Sequence, residues 1–358
     1  MMPIIDNLTL NRLLVRTAES KATDLLLSIG APPVMRLEGK LIVLEDEPVL
    51  TASFLERLVY SILTSEQKEK FEKKKQISFA ATFKKYLRFK VNVYLQRGYL
   101  SALFNYVPAV NEDLTQLGLP QELESFVSAS RGLILITGTA DSGKSTTVAS
   151  ILNTLNNKGP ARHIITIENI IENLFINNRC ILEQREVGRD TSSIVQGLKF
   201  ANQEEVDIVV VFDFDEQNIV KAGLEILESG KILIAVLNSY STIDALYRIE
   251  ALFKEQGIGW VRNLLSNYLL CVINQRLIPG LAGGRKLAYE FLVNTGLIKS
   301  LILNGTFNKI STFLHTTKEY NIISLDKSLA NLVKKGEAHL QDALAEAQDQ
   351  EAFKGYLR

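Results

Sequence analysis

Net charge of either sign is absent from this 358-residue sequence: forty lysines and arginines cancel forty aspartates and glutamates. No global field is available to draw in nucleic acid or anionic lipid. No basic stripe with interleaved aromatics replaces it, so no nucleic acid is expected as a partner. Long hydrophobic runs are missing too. None approaches the ~18 apolar residues needed to cross a bilayer, and no direct membrane insertion is expected. The opening stretch M-M-P-I-I-D-N-L-T-L-N-R lacks the basic, apolar and small-residue succession of a signal peptide. Cysteine is scarce: Cys180 and Cys271 lie far apart inside apolar runs, which argues for buried thiols in a reducing compartment rather than a disulfide framework. The histidines, His163, His315 and His339, have no metal-ligand spacing. A cytoplasmic location is expected.

What is present is apolar residue enough to bury, 46% of the chain, over a length that exceeds the ~250–300 residues at which single cores stop growing. Two domains are expected. Residues 1–110 read as an α+β unit: helical spacing at 10–20, two short strands around Glu38-Gly39, helices over 51–74 with Thr51 as a cap, then alternating strands. The polar stretch V-P-A-V-N-E-D-L-T-Q-L-G-L-P, 107–120, carries two prolines, and 111–120 within it reads as a linker. From 121 to 358 the pattern changes to short continuous apolar runs, L-I-L-I-T, H-I-I-T-I, D-I-V-V-V-F and K-I-L-I-A-V-L, separated by helix-length segments. That pattern marks strands of a parallel α/β sheet buried on both faces. Terminal helices follow a strand pair after residue 270.

The stretch G-T-A-D-S-G-K-S, 138–145, matches the phosphate-binding pattern G-x-x-x-x-G-K-[ST] and sits between an apolar strand and a helix. Gly138 and Gly143 allow the tight turn. The backbone of Thr139, Ala140, Asp141, Ser142 and Thr146 can point N–H groups at phosphate oxygens, Lys144 reaches the β- and γ-phosphates, and Ser145 is the expected Mg²⁺ ligand. ATP with Mg²⁺ is the expected cofactor. Asp141 is awkward, since its carboxylate must point away from the phosphates. Glu168 follows an apolar strand, where functional carboxylates of such sheets often lie.

Further segments, R-F-K-V-N-V-Y-L-Q-R-G, L-G-L-P-Q-E-L, H-I-I-T-I-E, Q-R-E-V-G-R-D-T, L-E-S-G-K and N-Q-R-L-I-P, together with the phosphate loop, resemble the type IV pilus retraction (twitching motility) ATPases of the type II/IV secretion ATPase superfamily. The resemblance covers nearly the whole chain. It implies a PAS-like N-terminal domain joined to a RecA-like P-loop domain with C-terminal helices. It also implies a hexameric ring, of identical chains or mixed with a paralogue, on the cytoplasmic face of the cell membrane against the inner-membrane platform protein of a pilus machine. Retraction rather than assembly is expected, because the zinc-type cysteine pairs of assembly ATPases are lacking.

The resemblance assigns catalytic roles to Glu168 and Asp213, with Asp213 and Ser145 on the Mg²⁺ side, and to Arg88 and Arg97 acting across the subunit boundary. Several family positions differ. Asn169 stands for an aspartate, Phe212 and Asp213 for a Gly-Glu pair, and Asn238 for a histidine; Lys90 and Asn105 take arginine positions. Asp213 is shorter than glutamate by one methylene, about 1.5 Å. Displacements of ~1 Å can cost ~100-fold in rate, and Phe212 is expected to add bulk beside the phosphates. Firm ATP binding with slow turnover is therefore expected. The alternative is a catalytically weak nucleotide-binding accessory subunit acting beside an active paralogous motor.

Overall fold

The computed structural model describes residues 4–37, 39–84, 86–110, 113–255, 257–316 and 322–358. They fall into two compact units, residues 1–109 with 170–174 and residues 110–169 with 175–358.

The first unit contains α1 (Ile4–Glu19), β1 (Asp24–Ser28), β2 (Val34–Leu37), β3 (Lys40–Val43), α2 (Ala52–Ile62), α3 (Ser65–Lys74), β4 (Gln76–Phe83), β5 (Leu87–Gln96) and β6 (Tyr99–Val107). Its sheet runs β3-β2-β1-β6-β5-β4, with every pairing antiparallel. Period-two alternation along β5 sends Leu87, Phe89, Val91 and Val93 inward against Leu13, Leu14, Leu55 and Leu58 of the helices. Thr51 caps α2 by accepting from the Phe54 N–H, and Thr64 with Gln67 forms a capping box on α3. Arg97 and Gly98 close the β5–β6 hairpin, both in the left-handed region at φ 52° and 83°, the conformation that matches strand twist in a two-residue hairpin.

The second unit contains α4 (Glu122–Val127), β7 (Gly132–Gly138), α5 (Lys144–Lys158), β8 (His163–Glu168), β9 (Ile181–Glu186), α6 (Ile194–Gln203), β10 (Ile208–Val211), α7 (Gln217–Glu228) and β11 (Ile232–Asn238). It continues through α8 (Thr242–Ala251), α9 (Ile258–Tyr268), β12 (Leu269–Pro279), β13 (Arg285–Val293), α10 (Gly296–Leu303), α11 (Asn308–Thr316), α12 (Leu325–Lys334), α13 (Leu340–Glu346) and α14 (Gln350–Leu357). The sheet order is β13-β12-β7-β11-β10-β8-β9, parallel throughout except for the antiparallel β12–β13 pair. Successive residues of β7 feed opposite cores: Leu133 and Leu135 join one apolar cluster, Ile134 and Ile136 another. Burial on both faces is why these strands read as unbroken apolar runs. A smaller core ties α12, α13 and α14 to Ile278 of β12 and Ala288 of β13.

Residues 113–120 pack with the second unit. Leu114 and Leu119 are buried in the second unit, the Leu114 N–H donates to Thr154 Oγ1, and Asp113 pairs with Lys158. Pro120 and the polar residues mark a break in regular structure, whereas the leucines still require burial. Asn111 and Glu112 lie outside the described residues. Both cysteines are buried and unpaired.

Candidate nucleotide site

The site forms at the C-terminal tips of the parallel strands, where Gly138 of β7 lies in register with Asn238 of β11 and Gln275 of β12. Gly138 has φ 148°, and a Cβ there would collide with Ser142 Oγ and the Gln275 carbonyl oxygen. Only glycine fits so close an approach. Gly143, at φ 91°, caps α5 without a side-chain acceptor, so the first-turn N–H groups keep their capacity for an anion. Ser142 is 2% exposed and its Oγ has no hydrogen-bond partner; an orphaned hydroxyl inside a glycine turn suits a phosphate oxygen. Lys144 Nζ donates to the carbonyls of Gly138 at 3.3 Å and Thr139 at 2.5 Å. Burial pushes its ammonium below the usual lysine range, Asp141 and Asp213 oppose that shift, and Arg276 adds to it. The donor set therefore fits a nucleotide phosphate chain. Ser145 and Asp213 offer the hard oxygens that Mg²⁺ takes beside phosphates. No group of three potential metal-ligating side chains occurs among the described residues, and a phosphate-bound Mg²⁺ needs none.

Asp213 owes its position to backbone conformation. β10 stops at Val211, and Asp213 turns left-handed at φ 56°. The Phe214 N–H then donates to the Val236 carbonyl. Register between Ile167 and Val211 brings Asn169 alongside, and its Nδ2 donates to Asp213 Oδ2 at 2.8 Å. The two side chains thus touch each other: an aspartate at 169 would set two carboxylates together, whereas the amide restrains Asp213. The expected bulk of Phe212 beside the phosphates is not found. Phe212 packs against the cluster containing Ile134, Val148 and Val210, because the chain turns after it rather than before. The same turn ends strand alternation, so Asp215 does not follow Asp213 as a strand neighbour would.

Among the described residues of this unit, the non-glycine residues at positive φ are Asp141 and Asp213. Backbone strain of this kind collects at functional sites. Glu168 is 7% exposed and accepts from Thr166 Oγ1 at 2.6 Å and Gln184 Nε2 at 3.4 Å, so its carboxylate engages its own strand and β9. The structure thus brings Gly138 through Thr146 together with Asp213, and sets Glu168 one strand further along the sheet.

The two arginines belong to the first unit. Arg88 Nη2 donates to the Ile171 carbonyl at 2.6 Å and its Nε to the Glu172 carbonyl at 3.2 Å, beside a Lys90–Glu172 ion pair at 3.1 Å. Arg97 is exposed in the hairpin turn at the other end of β5. Nine residues of strand separate them by about 30 Å, too far for both to meet one phosphate.

Sequence reasoning assigned no role to Asn274, Gln275 and Arg276, which are 0%, 0% and 3% exposed. Asn274 Nδ2 donates to Thr137 Oγ1 at 2.9 Å and Ser239 Oγ at 3.1 Å. Gln275 Nε2 donates to Thr147 Oγ1 at 2.8 Å, and Arg276 Nη2 to the Tyr240 carbonyl at 2.5 Å. The available signal was three successive polar residues inside the apolar strand L-L-C-V-I-N-Q-R-L-I-P.

Comparison with known proteins agrees with this geometry. Residues 107–352 match the type II/IV secretion system protein family. The type IV pilus retraction ATPase PilT of Pseudomonas aeruginosa is 31% identical over 96% of this chain and 99% of its own length. The type IV pilus ATPase PilU of the same organism is 29% identical over 94% and 88%. The crystal structure of the pilus retraction motor PilT with bound ADP superposes with a TM-score of 0.85 at 33% identity, covering 95% of this chain and 97% of that one.

Proposed function

The chain belongs to the type II/IV secretion system protein family, and on that premise we propose that it is an ATP-binding, retraction-type motor subunit with slow hydrolysis. It works as a hexameric ring on the cytoplasmic face of the cell membrane, against the inner-membrane platform protein of a pilus machine. The observation that carries the reading is the glycine cradle around the orphaned Ser142 hydroxyl, with Lys144 resting on loop carbonyls at 3.3 and 2.5 Å.

When nucleotide enters, the α5 first-turn N–H groups take phosphate oxygens and Lys144 exchanges loop carbonyls for the β- and γ-phosphates. Ser145 and Asp213 would hold Mg²⁺, which supplies neutralisation of phosphate charge. Asp213, restrained by Asn169, is the group that orients water, in preference to Glu168, whose carboxylate is already engaged. Arg88, on releasing the Ile171 and Glu172 carbonyls, is the arginine offered to the neighbouring subunit's nucleotide. Two features slow the step. The Asp213 carboxylate is shorter than the family's glutamate, and Lys90 cannot reproduce an arginine's bidentate grip.

The test is steady-state ATP turnover by the purified protein at ring-forming concentration, with Lys144→Ala as the blank. Turnover above the blank but below about 1 s⁻¹, the lower end of ordinary enzymes, is expected. Turnover of many per second that Lys144→Ala abolishes would overturn the slow step. Turnover at the blank with ATP still bound would make the chain an accessory to a paralogous motor.

A further inference from the structure

Arg276 occupies an unusual place for a cation. It is 3% exposed on β12, directly after Gln275, whose backbone abuts Gly138 of the phosphate loop. Its field adds to that of Lys144. A buried cation beside a second cation requires a carboxylate, since an uncompensated buried charge costs several kcal/mol. Among the described residues, the carboxylate within ion-pair distance of Arg276 is Glu346, in the last turn of α13, with Oε2 3.4 Å from Nε.

The remaining contacts turn Arg276 toward the loop after β11. Nη1 donates to Asn274 Oδ1 at 3.2 Å and to the Gln275 carbonyl at 2.9 Å, Nη2 to the Tyr240 carbonyl at 2.5 Å, and the guanidinium lies 5.0 Å from the Tyr240 ring centre. Tyr240 also accepts from Gln348 Nε2 at 3.4 Å. The chain leaving α13 is fixed by Asp326 of α12, a 1% exposed carboxylate that accepts from the N–H of Gln348 at 2.8 Å and of Asp349 at 3.2 Å. Glu346 is therefore delivered to Arg276 by an ordered helical module, while its own side chain stays 44% exposed. An exposed carboxylate can be drawn off by another cation or by a shift of α13.

We infer that Glu346 is a positioning residue that holds Arg276 neutralised against Tyr240, so that helices α12 to α14 set how tightly the phosphate loop grips nucleotide. With Glu346 in place, Lys144, with Asp141 and Asp213 acting on it, is the cation that faces the phosphates. With Glu346 withdrawn, Arg276 adds a second cation to the site, affinity rises and product leaves more slowly. This rests on the loop being a nucleotide site.

The experiment is titration of a fluorescent ADP analogue into the full-length protein and into Glu346→Gln, Arg276→Gln and the double variant, with turnover measured in parallel. Glu346→Gln is expected to lower Kd about fivefold and to lower kcat and KM together, the mark of slowed release rather than lost chemistry. In the Arg276→Gln background the Glu346→Gln effect is expected to vanish. An unchanged Kd in Glu346→Gln overturns the inference. So does a fivefold tightening that persists without Arg276, which would be the plain loss of a nearby negative charge. If Arg276→Gln melts below the assay temperature, Arg276→Met, which also removes the cation, replaces it, and Glu346→Gln should then change Kd less than twofold. Failure of the unaltered protein to bind the analogue refutes the nucleotide reading itself; binding without these shifts refutes only the role of Glu346.

Discussion

Among the described residues of the nucleotide unit, aspartate holds the two left-handed positions that are not glycine, and each has a cost that glycine would not. At Asp213 the cost purchases a carboxylate facing Lys144 and held at 2.8 Å by Asn169. Asp141, with φ 58° and an exposed side chain, also acts on Lys144, but among the described residues no hydrogen bond to its carboxylate matches the one from Asn169 to Asp213. The left-handed region costs a non-glycine residue about 1 kcal/mol. A carboxylate near a phosphate chain costs a further amount on the order of 1 kcal/mol at surface dielectric. Asp141→Gly should therefore raise Tm by about 2–4 °C and lower the nucleotide Kd about fivefold. Thermal unfolding and fluorescent-nucleotide titration check the two separately. A weaker Kd would mean that Asp141 helps hold the loop around the phosphates.

Elements decide which side chains can cooperate. β5 separates Arg88 from Arg97 by its own length, and the hairpin turns Arg97 into solvent. Arg88→Ala is accordingly expected to lower ring turnover at least tenfold, with the Kd of the protomer for nucleotide unchanged, because an arginine acting in trans serves the transition state. Arg97→Ala should stay within twofold. A turnover assay on the two variants at matched concentration decides it, and the reverse ranking would sink the assignment. The same contrast shows what was legible in the sequence. Apolar runs announced the parallel strands because both their faces are buried, and the glycine spacing announced the loop because so few side chains fit it. The Asn169–Asp213 pair depends on register between β8 and β10, which periodicity does not carry. The outward turn of Phe212 depends on β10 stopping at Val211. Arg276 and Glu346 come from a strand and a helix whose packing no local pattern states.

At the scale of the whole molecule, each unit closes its own core. Leu13, Phe89 and Phe104 belong to one cluster, and Leu135, Val211 and Phe214 to another. Each can therefore keep its fold while a single function is removed from it. A ring in which Arg88 of one chain completes the site of the next has a consequence that a self-sufficient chain does not share. Lys144→Ala chains lose nucleotide but keep Arg88; Arg88→Ala chains keep the loop but lose the arginine. Mixed in equal amounts, subunits join at random. An interface is then complete only where an Arg88→Ala chain receives the arginine of a Lys144→Ala neighbour, about a quarter of interfaces in a head-to-tail ring. Two preparations that are each nearly inactive should together recover turnover toward a quarter of the unaltered rate. The recovery should disappear on dilution below ring formation, which size-exclusion chromatography with light scattering can follow. If the mixture is no more active than the average of its parts, although rings form, Arg88 works within its own chain or not at all.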